Sequence, residues 1–337
     1  MALFKVSNTK IVGVSGAVPK NKASNKDLVG LNKQQIDLLI KTTGIESRRV
    51  SPDEVCASDL CYTAAEKLIA ELGWKKDEIG ALIFVTQTPD YPIPGTSMIL
   101  QDRLNLPKSC MTIDINQGCA GYVYGLSVIS SLMSSGGIKK GLLLVGDTIT
   151  KLIEKGDNSV VPIFSDAGTA TAVEFDTESE DMSFNLQTDG SGYEAIIVPE
   201  GGSRDVSKAS IKKMRMQGHS VFTFALKEVV PNINAVLEFA AREKDQVDYY
   251  IFHQANKLLN ESIRRKMGID SSKVPYTLSK FGNTSCATIP LTLISELSNE
   301  VKSQNLNLIL SGFGVGLSWG ACCLNISDIV CPDLIEL

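Results

Sequence analysis

Short apolar runs alternate with longer segments of helical periodicity along the chain. Four of the runs are nearly continuously apolar, which is typical of strands buried on both faces. They cover residues 81–86, 141–146, 248–252 and 306–311. Segments 58–72 and 222–241 have the spacing of amphipathic helices. This alternation predicts an α/β fold. Residues 174–182 and 200–213 have the composition of loops, and we expect the second segment to border the entrance to a site.

The order of these elements occurs twice. In each half a helix precedes a strand, a turn containing cysteine follows, and a second strand comes after it. The cysteines of the two turns, Cys119 and Cys286, lie 167 positions apart, and the same shift carries Thr86 onto His253. The shared order and offset predict a duplicated α/β unit. We place its halves at residues 1–175, with the cysteine nucleophile, and 176–337, with a histidine and an asparagine.

Composition and charge exclude several classes of function. The chain has 337 residues, a net charge of −5 and no basic run longer than three residues, so we expect no nucleic-acid partner. The N-terminal residues lack a signal-like apolar segment, and no apolar run has membrane-spanning length. Eight dispersed cysteines without a CxxC pair, together with only two histidines, indicate reduced thiols in a cytoplasmic protein without a metal site or cofactor.

Cys119 is the first candidate for chemistry. The segment Asp-Ile-Asn-Gln-Gly-Cys-Ala-Gly at 114–121 predicts a strand, a tight turn and a helix that begins just after the cysteine. A helix N-terminus favours a thiolate through its dipole and free N–H groups, so we expect an easily ionised sulfur. The alternative is a structural cysteine beside a turn. Cys286 lacks a preceding glycine, and we interpret it as helix packing.

Two polar residues in the second half are candidate partners of this thiol. His253 directly follows a buried strand, where open α/β sheets place functional groups, although a hydrogen-bonded core histidine is an equal alternative. Asn283 lies in a Gly-Asn-Thr-Ser turn before a helix, where capping is the default role. His219 precedes a helix and is expected at the rim of a pocket. The glycine-rich segment 311–320 fits a loop that offers a backbone N–H to an oxyanion better than it fits a phosphate loop.

Together these segments resemble the β-ketoacyl-acyl carrier protein synthase III family of the thiolase superfamily. The motifs follow the family order along almost the whole chain. They are GIESRR at 44–49, TQTPD at 86–90, NQGCAG at 116–121, FSDAG at 164–168, MQGHSVF at 216–222, HQAN at 253–256, GNTS at 282–285 and FGVGLSWG at 313–320. The resemblance implies a thiolase-like duplicated α/β/α/β/α layered fold, which agrees with the internal offset.

The resemblance also implies a reaction and the residues that perform it. Cys119 would take the acyl group from a thioester, and a malonyl-acyl carrier protein would then lose CO₂ and attack the acyl-enzyme to give a β-ketoacyl product. Neutral His253 and Asn283 would donate hydrogen bonds to the malonyl thioester carbonyl. The N–H groups of Cys119 and Val315 would form the oxyanion hole. The pocket would be lined by Ile93, Gly218, His219, Phe222 and Phe313, and the protein would be a homodimer.

The sequence departs from the family pattern at the site of the acyl donor. Where well-studied members hold the adenine of coenzyme A with a tryptophan and two arginines, this chain has Leu38, Thr42 and Asn158. None of these side chains stacks on a purine as Trp or Arg does, so we expect the acyl primer to arrive on acyl carrier protein or another thioester.

Further departures concern the carrier protein and the acyl chain. Leu258 replaces an arginine that meets carrier protein, which leaves Lys257, Arg264 and Arg265 as candidate contacts or as an ordinary solvated helix face. Many relatives have Phe where this chain has Ile93, at the bottom of the acyl pocket across the subunit interface. The smaller side chain predicts tolerance of chains longer than acetyl.

Other reactions on the same fold stay open from the sequence. The acyl-cysteine can acylate an alcohol or an amine, or join a second acyl chain without losing CO₂. A non-catalytic partner subunit and, as a weaker option, a cysteine hydrolase are further alternatives. The pathway, whether primary fatty acid synthesis, a surface lipid or polysaccharide route, or a specialised metabolite, is not determined by the sequence.

Overall fold

A computed structural model describes residues 2–204 and 213–337, so residues 205–212 of the predicted loop 200–213 lie outside the described part. The described strands are β1 Ala2–Val6, β2 Thr9–Val18, β3 Lys22–Ser24, β4 Ser47–Arg49, β5 Ile79–Val85, β6 Met111–Ile115, β7 Lys140–Asp147, β8 Ala167–Phe175, β9 Met182–Thr188, β10 Ile196–Ile197, β11 Arg215–Met216, β12 Tyr249–Phe252, β13 Asn305–Gly314, β14 Ser318–Ser327 and β15 Ile335–Glu336. The described helices are α1 Lys33–Thr43, α2 Ala57–Leu72, α3 Thr96–Arg103, α4 Gly121–Met133, α5 Gly218–Phe239, α6 Lys257–Met267, α7 Leu278–Phe281, α8 Thr288–Glu296 and α9 Ser298–Ser303.

Two large mixed sheets share one pattern of pairing. The six-stranded sheet has the order β15-β2-β8-β7-β5-β6 and the five-stranded sheet the order β1-β9-β14-β13-β12. In the first, β5 pairs parallel with β7, and β7–β8 and β8–β2 are antiparallel. In the second, β12 pairs parallel with β13, and β13–β14 and β14–β9 are antiparallel. The predicted duplication is therefore visible in the strand order and direction of both sheets.

Helices cover both faces of each sheet, as the apolar character of the central strands requires. The middle layer consists of α4 and α8, whose apolar side chains form one core with the facing sides of both sheets, including Leu126, Leu143, Ile289 and Leu310. Helices α2 and α3 pack on the outer face of the six-stranded sheet, and α5 and α6 pack on the outer face of the five-stranded sheet. The predicted α/β/α/β/α layered fold is confirmed.

The chain ends exchange sheets between the two halves. Strand β1 pairs with β9 in the sheet of the second half, whereas β15 pairs with β2 in the sheet of the first. The division at residues 175 and 176 falls between β8 and β9 and stays a prediction. Within the described residues, no helix combines the length and the apolar character needed to cross a bilayer.

Candidate active site

Cys119 follows strand β6 and stands immediately before the first turn of α4, as the sequence predicted. Neighbouring residues pack closely around Cys119 at two glycines, Gly118 and Gly314. A Cβ atom added at Gly314 would lie 2.6 Å from the Cys119 Sγ, and one added at Gly118 would collide with Gln87 and Val315. Glycine is therefore required at both positions, because any side chain would displace the thiol or the loop that faces it.

Burial is the largest influence on the pKa of this thiol. Cys119 is only 8% exposed. Burial raises the pKa of Cys119 to about 11; the Asp147 carboxylate adds to this rise, and the backbone N–H groups of Val315 and Cys119 oppose it. The prediction of an easily ionised sulfur is therefore wrong, because burial raises the pKa of Cys119 more than the N–H groups lower it. The raised pKa favours the neutral thiol over the thiolate near pH 7.

His253 is the residue directly after β12, and its backbone N–H donates to the Ser311 carbonyl of β13 at 2.8 Å. The imidazole Nδ1 lies 2.8 Å from the Thr288 Oγ1. The ring meets the Phe313 ring edge to face, with centroids 5.6 Å apart. Burial lowers the pKa of His253 to about 3, against a smaller opposing effect of a backbone hydrogen bond at Ser285. The imidazole is therefore neutral over the physiological range.

Asn283 lies in the turn between α7 and α8 and is held at both its backbone and its side chain. Its N–H donates to the Ile163 carbonyl, and its carbonyl accepts from the Ser165 N–H, each at 2.9 Å. The Asn283 Oδ1 accepts from the Ser285 N–H at 2.9 Å. The carbonyl end of the amide is therefore occupied, and its Nδ2 end is the donor left for a ligand.

The glycine-rich segment forms the end of β13 and the turn into β14. The backbone N–H groups of Val315 and Cys119 both act to lower the pKa of the Cys119 sulfur. They therefore favour negative charge at this end of the pocket, and their role as an oxyanion hole stays a prediction.

One narrow pocket of about 80 Å³ brings the three polar side chains together. Cys119, His253 and Asn283 all line it. The predicted pocket residues Gly218, Phe222 and Phe313 also line it, with further apolar lining from Ile163, Ile196, Met216 and Leu259. Residues that lie far apart in the sequence therefore line one cavity, most of whose other lining is apolar.

Two predicted pocket residues lie elsewhere in this single chain. Ile93 is 85% exposed, on the loop between β5 and α3, and does not line this pocket. His219 is exposed in the first turn of α5 beside Gly218, also outside the lining. The position of His219 agrees with a rim, whereas the role assigned to Ile93 requires a second subunit.

Comparisons with known proteins identify the family of this fold and pocket. Residues 113–190 match the family model for 3-oxoacyl-[acyl-carrier-protein (ACP)] synthase III, and residues 237–326 match the model for its C-terminal part. A β-ketoacyl-[acyl-carrier-protein] synthase III from Halalkalibacterium halodurans is 33% identical over 93% of this chain and 97% of its own length. The chain belongs to the 3-oxoacyl-[acyl-carrier-protein] synthase III family.

Another relative and a crystal structure agree with this family. A synthase III from Streptococcus agalactiae is 32% identical over 94% of this chain and 99% of its own length. The crystal structure of a 3-oxoacyl-(acyl-carrier protein) synthase from Burkholderia xenovorans has a TM-score of 0.95 and 38% identity, and the match covers 99% of both chains. The similarity to synthase III proteins therefore extends over both halves of the fold.

The candidate carrier contacts of this synthase III chain differ in their availability. Lys257 lies at the start of α6, beside Gly44, in a surface cleft shared with α1. Arg265 is 76% exposed. Arg264 instead donates to the Ile269 carbonyl and to both carboxylate oxygens of Glu261. Lys257 and Arg265 are therefore better placed to meet a partner than Arg264.

Sequence analysis missed the groups that hold the synthase III site in shape. Thr288 contacts the imidazole, and fully buried Asp147 accepts hydrogen bonds from Thr86, Gln87 and Thr88 beneath the thiol. Burial raises the pKa of Asp147, and these hydrogen bonds oppose the rise. Cys286 lies 3.3 Å from the Asp147 Oδ2, outside the pocket. The position of Asp147 at the carboxyl end of β7 was an available signal.

Proposed function

We propose that this protein catalyses the decarboxylative condensation of an acyl thioester with a malonyl-acyl carrier protein, through an acyl group on Cys119. The observation that carries the proposal is the shared pocket of a thiol, a neutral imidazole and a carboxamide whose donor end is free. This set supplies a nucleophile and two neutral hydrogen-bond donors, which suits the stabilisation of an enolate better than the activation of water.

The first step forms the acyl-enzyme. The sulfur of Cys119 attacks the carbonyl carbon of the thioester, and the oxyanion accepts hydrogen bonds from the N–H groups of Cys119 and Val315. The bond to the leaving sulfur then breaks, and the thiol proton ends on the departing thiol. Because burial raises the pKa of Cys119 to about 11, the thiolate is a minor species at pH 7, and the two N–H groups lower the cost of the charge that develops during attack.

The second step uses the imidazole and the carboxamide. The carbon–carbon bond to the malonyl carboxylate breaks, CO₂ leaves, and the electron pair moves onto the thioester oxygen as an enolate. His253 and Asn283 donate hydrogen bonds to that oxygen. The enolate carbon then attacks the acyl carbonyl, the carbon–sulfur bond to Cys119 breaks, and the β-ketoacyl thioester forms. Cys119 leaves as a thiolate and takes up one proton from solvent to return to the thiol. A neutral donor suits this oxygen, since the lowered pKa of His253 keeps the ring from carrying a charge.

The experiment for the reaction is release of labelled CO₂ from malonyl-acyl carrier protein by the acylated protein. Release in step with β-ketoacyl product supports condensation. Transfer of the acyl group to an alcohol, an amine or a second acyl chain without release of CO₂ would replace the proposal with the alternative reactions, and no acylation of Cys119 at all would favour a non-catalytic partner subunit.

The acyl donor is proposed to be an acyl carrier protein in preference to coenzyme A. Leu38 is 65% exposed on α1, a helix that buries none of its side chains. The Asn158 amide donates to the Val29 carbonyl at 3.1 Å, so this side chain is occupied at the place where a purine clasp would be. Side-by-side acylation of Cys119 from acetyl-coenzyme A and acetyl-carrier protein tests this; efficient use of low-micromolar acetyl-coenzyme A would refute it.

We further propose a homodimer in which Ile93 of each chain closes the acyl pocket of the other. Strand β6 is an edge strand of the six-stranded sheet, and its first residue, Met111, is an exposed apolar side chain. Tyr91 and Ile93 in the loop before α3, and Met98 in α3, are also exposed apolar side chains. An uncovered strand edge with an apolar border is a common place for a second chain to pair. Since Ile is smaller than Phe, acyl chains longer than acetyl are expected on Cys119, and acceptance of acetyl alone would contradict this.

The compartment proposed for this reaction is the cytoplasm. All eight cysteines are free, and seven of them are buried. Free thiols in these numbers are typical of proteins that work in a reducing compartment.

A further inference from the structure

The backbone of Asn283 lies against residues 163–165, which overlap the FSDAG motif. Phe164 and Asn283 form a parallel β-bridge. The Asn283 N–H donates to the Ile163 carbonyl, and the Asn283 carbonyl accepts from the Ser165 N–H, each at 2.9 Å. Ile163 and Phe164 line the pocket, whereas Ser165 does not. The position of the Asn283 amide therefore depends on a segment that is itself part of the pocket wall.

The Ser165 hydroxyl connects this segment to strand β4. It accepts from the Arg49 N–H at 2.7 Å and donates to the Arg49 carbonyl at 3.0 Å. One hydroxyl thus binds both backbone polar groups of Arg49. Ser165 is fully buried, so loss of this hydroxyl would leave a buried N–H group without its partner, which is costly.

Asp166 forms further hydrogen bonds to the segment after β4. Its N–H donates to the Arg49 carbonyl at 2.9 Å, and its Oδ2 accepts from the Ser51 N–H at 2.8 Å. Its carboxylate also accepts from the N–H and the hydroxyl of Thr150, at 3.0 and 2.6 Å. Burial raises the pKa of Asp166, and these hydrogen bonds oppose the rise. Asp166 therefore adds to the attachment that the Ser165 hydroxyl makes.

Arg49 is held in place by its own side chain. The residue is 5% exposed. Its Nη1 donates to the Pro19 carbonyl at 2.9 Å, and its Nη2 donates to the Glu336 carboxylate at 2.6 Å. Its guanidinium lies 5.5 Å from the centroid of the Phe281 ring, in α7. The residue that the hydroxyl binds is therefore itself fixed, and it also contacts the helix that leads into Asn283.

We propose that Ser165 is a positioning residue for the carboxamide of Asn283. Its hydroxyl fixes residues 163–165 on Arg49, and the backbone of these residues fixes Asn283. This inference rests on the proposed function, in which the Asn283 Nδ2 donates to the enolate oxygen. A donor that moves by about 1 Å can cost on the order of 10²-fold in rate, so the firmness of this attachment bears directly on the second step.

The experiment compares CO₂ release with acylation in Ser165→Ala, which removes the hydroxyl and keeps every backbone group. We expect CO₂ release from malonyl-acyl carrier protein to fall about tenfold, because both hydrogen bonds to Arg49 are lost. Acylation of Cys119 should stay within about twofold, since its proposed oxyanion donors are backbone N–H groups of other residues. An equal loss in both steps, or an unchanged rate of CO₂ release, would overturn the proposal.

A double-mutant cycle with Asn283→Ala shows whether Ser165 acts through Asn283. In the Asn283→Ala background, Ser165→Ala should lower the remaining CO₂ release by less than about twofold, because the donor that it positions is already absent. A further loss of about tenfold in that background would show that the hydroxyl acts by another route, and it would overturn the proposal.

Ser130→Ala is the matched control for both measurements. Ser130 is a fully buried serine of α4, and its hydroxyl forms a hydrogen bond to the Met182 sulfur at 3.7 Å, not to Arg49. This variant loses a buried hydroxyl without touching residues 163–165. It should leave CO₂ release and acylation at their native rates.

Hydrogen–deuterium exchange separates this inference from the proposed function. In Ser165→Ala, the backbone amides of residues 165 and 283 should exchange at least about fivefold faster than in the native protein, and in Ser130→Ala at the native rate. Unchanged exchange in Ser165→Ala would overturn the inference. Rapid exchange of both amides in the native protein would overturn it even if Ser165→Ala does not fold. Native protection without CO₂ release would refute the proposed function and leave the attachment intact.

Discussion

At the scale of single residues, the ionisation of Cys119 depends on two opposed influences. The backbone N–H groups near its sulfur favour the thiolate, whereas burial and the carboxylate of Asp147 favour the thiol. Burial has the larger effect, so the pKa is raised. In the proposed reaction, the carbonyl oxygen of a bound thioester would accept hydrogen bonds from the same N–H groups.

The raised pKa of Cys119 predicts the pH dependence of alkylation. Only the thiolate reacts with iodoacetamide, so the rate should rise about tenfold per pH unit from pH 7 to 10 and level off near the pKa of about 11. Intact-mass measurement follows the reaction, and Cys119→Ser gives the background from the other cysteines. A plateau below pH 8 would show that the helix N-terminus, and not burial, dominates.

The two donors predict a separation of the partial reactions. His253→Ala and Asn283→Ala should each lower the rate of CO₂ release by about 10²–10³, because each removes one hydrogen bond to the enolate. Acylation of Cys119 should change by less than about threefold, since its oxyanion meets backbone N–H groups. Rapid-quench mass spectrometry of Cys119 measures the second rate. Loss of acylation in both variants would assign the imidazole and the amide to the first step instead.

At the scale of elements, the turn before α4 and the loop between β13 and β14 are joined by a chain of hydrogen bonds. The Gln117 Nε2 donates to the Ser318 Oγ at 2.8 Å, and the Ser318 hydroxyl donates to the Val315 carbonyl at 2.8 Å. Gln117, two residues before Cys119, thus helps to hold the loop that contains Val315. These hydrogen bonds therefore connect the turn of the proposed nucleophile to the loop of its proposed oxyanion donor.

Ser318→Ala should therefore weaken the proposed oxyanion hole. Removal of this hydroxyl costs about 1 kcal/mol of local hydrogen bonding, so we expect about a fivefold lower rate of acylation. Single-turnover acylation of Cys119 measures it. Ser327→Ala, at the exposed end of the same strand, is the control and should leave the rate unchanged. An unaltered rate in Ser318→Ala would show that the loop is held by its remaining contacts.

The elements themselves could be predicted because their signals are local. The apolar run at 141–146 became β7, Lys140–Asp147, and the predicted helix 58–72 became α2, Ala57–Leu72. The contact of Thr288 with His253 was not predictable, since it spans 35 residues and depends on the left-handed backbone at Ser285. The pKa of Cys119 was not predictable either, because it depends on burial by elements of both halves.

At the scale of the whole molecule, the edge of the six-stranded sheet is the feature that a single chain leaves incomplete. Strand β6 has one paired side, and the exposed Ile93 loop stands beside it. The proposed dimer covers this edge and completes each acyl pocket with a residue of the partner.

Ile93→Asp should weaken this dimer. A carboxylate in an apolar interface is costly unless it is paired, so the variant should elute as a 36.4 kDa monomer in light-scattering chromatography, whereas the native protein elutes at twice that mass. Val29→Asp, at another strongly exposed apolar position, is the control and should stay dimeric. A monomeric native protein would contradict the dimer and the placement of Ile93 in a partner's pocket.

The most direct test of the account is the mass of the peptide that contains Cys119 in a single turnover. The protein is first loaded with an acyl donor and then mixed with malonyl-acyl carrier protein. We predict that the acyl group appears on Cys119 and disappears at the rate at which CO₂ and β-ketoacyl-carrier protein form. An unmodified Cys119 during turnover, or an acyl-Cys119 that persists while product forms, would contradict the account.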